Sequence, residues 1–131
     1  MSDAATQPRD VPLAGRRILV VEDEYFLADD IDCAFRALGA TIAGPVGTID
    51  DASRILRNGG AIDGAVLDVN IRGEMIYPIA GELLARSVPI VFTSGYDKVV
   101  LSSDFADVPL WEKPIHIHAM ARQLVRAILR Q

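Results

Sequence analysis

A chain of 131 residues, 50% apolar and 24% charged, suits one compact domain with a real core and leaves no room for a second folded one. The net charge of −5 argues against capture of nucleic acid or an anionic membrane, both of which need a basic surface. Cys33 is the single cysteine, so no internal disulfide can form and nothing suggests an oxidising compartment.

Met1–Ala14 is polar, contains Pro8 and Pro12, and lacks the apolar core of a signal peptide, so residues 1–14 are expected to be a flexible tail before a domain spanning 15–131. Arg17–Val21 is a β-branched run too short for a helix, and it ends abruptly in Glu22, Asp23 and Glu24, the pattern of a buried strand with an acidic tip. Leu27, Ile31, Phe35 and Leu38 then form one apolar stripe at helical spacing, which Gly39 stops. Thr41–Ala43 reads as a second strand. Thr48 followed by Asp51 resembles an N-cap with an acid at N3, opening a helix that Gly59 and Gly60 close.

Ala65–Leu67 runs into Asp68 as a third strand, and Pro89–Phe92 runs into Thr93 and Ser94 as a fourth. Between them Tyr77–Arg86 reads as a helix, with Pro78 tolerated in its first turn. Residues 97–109 carry no firm pattern and are read as a short or irregular helix. Leu110–Trp111 is a weak fifth strand, and Ile117–Arg130 a final helix. No apolar run approaches the ~20 residues of a membrane span, and a cytoplasmic protein is expected.

Strand–helix alternation with strands apolar throughout predicts an α/β fold, a doubly wound parallel sheet with helices on both faces. In such sheets ligands sit beyond the carboxyl ends of the strands. Glu22 and Asp23, Asp68, Ser94 and Lys113 each follow a different strand, so they are expected to converge in one crevice. Crowded carboxylates repel one another unless a cation neutralises them, and an oxygen-only site suits Mg2+ better than zinc. The charge of Lys113 and the hydroxyl of Ser94 can hold phosphoryl oxygens, and Asp68, ending the central strand, is the favoured nucleophile.

These residues together resemble the receiver domain of two-component response regulators, from about Arg16 onwards. The resemblance implies a flavodoxin-like sheet of five strands in the order 2-1-3-4-5. Glu22-Asp23 look like the family's metal-binding pair, Asp68 like its phosphorylation site, Asn70 like the position whose backbone carbonyl meets the metal, Ser94 like its switch hydroxyl, and Lys113-Pro114 like its Lys-Pro. The strings Asp68–Glu74 and Pro89–Asp97 further resemble a subgroup of single-domain receivers with a Phe-Ala-Thr-Gly-Tyr-like motif, with Thr93 in place of the Ala and Ser94 in place of the Thr. Most receivers carry an aromatic residue three positions before the lysine, where this chain has Leu110; Tyr96 is expected to take over part of its signalling role.

The resemblance implies a phosphoprotein that takes a phosphoryl group from a histidine kinase or histidine phosphotransferase with Mg2+. It would catalyse only its own phosphorylation and dephosphorylation, and signal by protein contact to a downstream target or act as a phosphate sink. No nucleic acid and no membrane partner is expected. One alternative is a haloacid-dehalogenase-like phosphohydrolase, which wants a second Asp where this chain has Asn70; another is a non-phosphorylated pseudo-receiver, which usually lacks the acids or the lysine kept here. His116 and His118 read as surface or capping residues, and Arg122, Arg126 and Arg130 as a solvated basic stripe.

Overall fold

In a computed structural model, residues 11–95 and 101–130 are described. Five strands form one parallel sheet: β1 (Arg17–Val21), β2 (Thr41–Val46), β3 (Gly64–Asp68), β6 (Ile90–Ser94) and β7 (Leu110–Glu112). A separate two-stranded antiparallel ribbon, β4 (Asn70–Ile71) with β5 (Glu74–Met75), follows β3 directly. The sheet order is β2-β1-β3-β6-β7, which is the expected order 2-1-3-4-5 once the ribbon is set aside.

The helices α1 (Tyr25–Ala37), α2 (Ile49–Arg57), α3 (Tyr77–Ala85) and α4 (Ile117–Leu129) cover both faces. Alternate residues of each strand point to opposite faces. Leu19, Val21, Leu67 and Phe92 therefore pack with Ala52, Leu56, Ile79 and Leu83 of α2 and α3. Ile18, Val20, Val66 and Val91 pack with Ile31 and Phe35 of α1 and with Met120, Leu124 and Ile128 of α4. Because β3 is buried along its whole length, its last residue, Asp68, is fixed at the centre of the sheet. Among the described residues no helix is long and apolar enough to cross a membrane.

Several expectations need correction. Residues 11–14 are not part of a loose tail: Leu13 is fully buried against the α1 face of the core, and its N–H donates to the Leu38 carbonyl. The folded unit thus includes Val11, and a lone Leu among prolines and polar residues had no partner visible in the sequence. β2 runs three residues further than Thr41–Ala43, to Val46, through an irregularity where its pairing with β1 shifts between Leu19 and Val21. The added stretch contains Pro45, which lacks a donor, but β2 lies at the sheet edge, where that loss is tolerated. Of the weakly patterned segment, read as a short or irregular helix, the described residues hold a 3-10 turn, Ser103–Phe105, anchored by the buried Phe105, in line with that reading; residues 96–100, Tyr96 among them, lie outside the described residues.

Candidate functional site

Parallel pairing sets the depth of each strand end. Val21 lies beside Leu67, Asp68 beside Thr93, and Ser94 beside Glu112, so the residues that follow β1 and β7 meet Asp68 and Ser94 at one level. Glu22 and Asp68 are buried, Asp23 is half-buried and Ser94 is 2% exposed. Glu22, Asp23 and Asp68 each offer an oxygen within 4.8 Å of the others. Lys113 reaches across from the end of β7, with its main-chain N–H on the Ser94 carbonyl at 2.9 Å. Its Nζ donates to Asp68 Oδ2 at 2.9 Å and to Glu22 Oε2 at 3.2 Å.

The ribbon shapes the other rim. Asn70 N–H donates to Asp68 Oδ1 at 3.1 Å, fixing the second carboxylate oxygen, and Gly73 N–H donates to Asn70 Oδ1 at 2.8 Å. Arg72 and Gly73 adopt φ of 52° and 86°, the left-handed pair of a tight primed turn. The Arg72 N–H then donates to Asp23 Oδ2 at 3.0 Å. A cavity of about 360 Å³ opens beside Glu22 and Asp23 and is lined by Tyr25, Asp29, Val46 and Arg72 as well.

Charge in this crevice is out of balance. Burial first, and the nearby Asp68 carboxylate second, push the Glu22 carboxyl up to about 7, against a backbone hydrogen bond and the attraction of Lys113 that both favour ionisation. For Lys113 burial works against the charged form. The hydrogen bonds to Glu24 and Asp68 and the charges of Glu22 and Asp68 outweigh it, so its pKa lies above the ordinary lysine value. A single ammonium thus fails to satisfy the carboxylates around it. An all-oxygen cluster with surplus negative charge fits a hard divalent cation such as Mg2+, and among the described residues it contains neither Cys nor His.

The structure therefore brings together Glu22, Asp23, Asp68, Ser94 and Lys113, with exposed Asn70 at the edge through its main chain. Two further residues escaped the sequence reading. Thr93, read only as the end of the fourth strand, is fully buried, pairs with Asp68 across β3 and β6, and donates its hydroxyl to Glu22 Oε1 at 3.4 Å. Glu24, read only as part of an acidic tip, also pairs its carboxylate with Lys113 Nζ. Of the residues set aside, His116 caps α4, its Nδ1 accepting from Ala119 N–H at 3.3 Å. Cys33, Arg122, Arg126 and Arg130 are exposed.

No family model and no curated protein matches the chain. Solved structures do. SdrG from Sphingomonas melonis Fr1 is 37% identical, with a TM-score of 0.75, over 87% of this chain and 96% of that one. The BeF3-activated conformation of SdrG, there assigned to Pseudomonas melonis Fr1, gives 38% identity and a TM-score of 0.69 over 88% of this chain and 98% of that one. The receiver domain of the hybrid histidine kinase CckA is 26% identical, with a TM-score of 0.69, over 86% of this chain and 98% of that one. With the sheet order, the acidic cluster at its carboxyl edge and the lysine facing it, this likeness establishes that the chain belongs to the response regulator receiver family.

Proposed function

We propose that the chain is a cytoplasmic protein that accepts a phosphoryl group on Asp68 from a histidine kinase or histidine phosphotransferase. It then passes the signal to a downstream protein by contact, or drains phosphate from the kinase. The observation that carries this reading is the contact of Lys113 Nζ with Asp68 Oδ2 at 2.9 Å beside the Glu22–Asp23 pair. The side chains of Glu22, Asp23 and Asp68 and the carbonyl of Asn70 would hold Mg2+. When bound, the ion supplies positive charge that offsets the carboxylates and the phosphoryl oxygens as they approach.

In the transfer step a carboxylate oxygen of Asp68 attacks phosphorus and forms the new P–O bond. The bond from phosphorus to the donor imidazole breaks and its electron pair stays on that ring nitrogen, leaving a neutral imidazole whose proton is carried by the other ring nitrogen. Lys113 and the Ser94 hydroxyl then donate to phosphoryl oxygens, drawing the ends of β6 and β7 towards the site. Asn70 offers no general acid: its main-chain N–H donates to Asp68 Oδ1, its side-chain oxygen accepts from Gly73 N–H in the ribbon, and an amide delivers no proton, which favours a phosphoacceptor over a hydrolase. Intact-mass spectrometry after incubation with acetyl phosphate and Mg2+ tests the reading. A gain of one phosphoryl mass is expected, and an unchanged mass would reject it.

A further inference from the structure

Resting on that reading, we propose that Glu24 is a positioning residue. It holds the third N–H of Lys113 while Asp68 is a free carboxylate and yields it to the phosphoryl group when Asp68 is modified. An ammonium has three donors. Here all are taken, by Asp68 Oδ2, Glu22 Oε2 and Glu24 Oε2. A phosphoryl oxygen can gain a hydrogen bond from Lys113 only if one of these partners lets go.

The partners differ in what release costs. The side chains of Glu22 and Asp68 are 1% and 5% exposed, so stranding either carboxylate means burying an unpaired charge. The side chain of Glu24 is 55% exposed and is rehydrated as it leaves. Glu24 is also tied into the crevice by its own main chain, since its N–H donates to Glu22 Oε2 at 3.0 Å. Its backbone therefore stays in place while its carboxylate exchanges. Glu24 is thus the replaceable ligand of Lys113: it keeps the ammonium turned into the crevice and leaves without an unsatisfied charge.

The test is a titration with beryllofluoride, a phosphoryl mimic, at saturating Mg2+, followed by NMR in wild type, Glu24→Gln and Asp29→Asn. Asp29 lines the same cavity and its substitution removes the same charge, but Lys113 pairs with Glu22, Glu24 and Asp68. Loss of a competing, partly exposed ion pair should tighten beryllofluoride binding roughly two- to fivefold in Glu24→Gln. Asp29→Asn should stay within about twofold of wild type. The 15Nζ signal of Lys113 should move in free Glu24→Gln and coincide with that of wild type in the beryllofluoride complex. Equal tightening in both variants, an unchanged affinity in Glu24→Gln, or an unmoved Lys113 signal in its free form would overturn the proposal. Absence of beryllofluoride binding by wild type would instead overturn the phosphoacceptor reading on which it rests.

Discussion

Replacing Glu22 by Gln should stabilise the metal-free protein at alkaline pH, an unusual outcome for a change at a buried site residue. The Glu22 carboxyl is pushed up from 4.5 to about 7 in the fold, mainly by burial and then by Asp68. Below about pH 4.5 the residue is protonated in both folded and unfolded chains, and above about 7 it is ionised in both. In between, the folded state binds more protons than the unfolded one, so the contribution of Glu22 is fully present at low pH and is lost as pH rises through 7. The gap corresponds to roughly 3 kcal/mol at about 1.4 kcal/mol per pH unit. Gln keeps the shape and an acceptor oxygen but never carries the charge. In EDTA at pH 8, urea denaturation should therefore show Glu22→Gln more stable than wild type by about 2–3 kcal/mol, a difference of roughly 10 °C in Tm for a domain of this size. At pH 4.5 the two should coincide. A difference that is absent at pH 8, or that grows as pH falls, would refute the assignment of surplus negative charge to this crevice.

Other expectations follow from the same geometry. Asp68→Asn should lose all phosphoryl uptake by intact mass and keep the wild-type circular dichroism spectrum, because the amide is nearly isosteric but cannot attack phosphorus. Excess EDTA should collapse uptake in wild type, since the acidic cluster then repels the incoming phosphoryl group; undiminished labelling would remove the cation from the site. Beryllofluoride with Mg2+ should shift amide signals of Ser94 and of 101–113 more than those of α1, and Ser94→Ala should weaken that shift without preventing phosphorylation. Thr48→Ala removes the hydroxyl that accepts from Asp51 N–H at 3.1 Å and should cost about 1 kcal/mol in urea denaturation.

The parts of the fold legible in the sequence were those with a long repeat. The stripe through Ile31 and Phe35 and the final helix lie where periodicity placed them, and the cap at Thr48 lies where its spacing to Asp51 placed it. The β4–β5 ribbon was invisible because two-residue strands carry no period. Only Arg72-Gly73, a turn pair with φ above zero, hinted at it. Leu110 packs, partly buried, against the core cluster that contains Phe92 and Phe105, where Tyr77 stacks on Phe105 at 4.7 Å and its hydroxyl accepts from Ser102 N–H at 3.2 Å. Three residues spread over α3, β6 and the 3-10 turn leave no motif, so only the packed structure brings them together. Glu24 escaped for a similar reason: a run of three acids after β1 does not say which of them turns towards a lysine at position 113.

Locating the phosphoryl group tests the role of Asp68 without an intermediary. Treating the acetyl-phosphate-labelled protein with borohydride reduces an acyl phosphate to an alcohol, converting an aspartyl phosphate to homoserine that peptide mass spectrometry can place. Homoserine is expected at position 68 alone, dependent on Mg2+ and absent in Asp68→Asn. Homoserine at another acidic position such as 23, or a phosphoryl group that survives borohydride on His116 or His118, would contradict it.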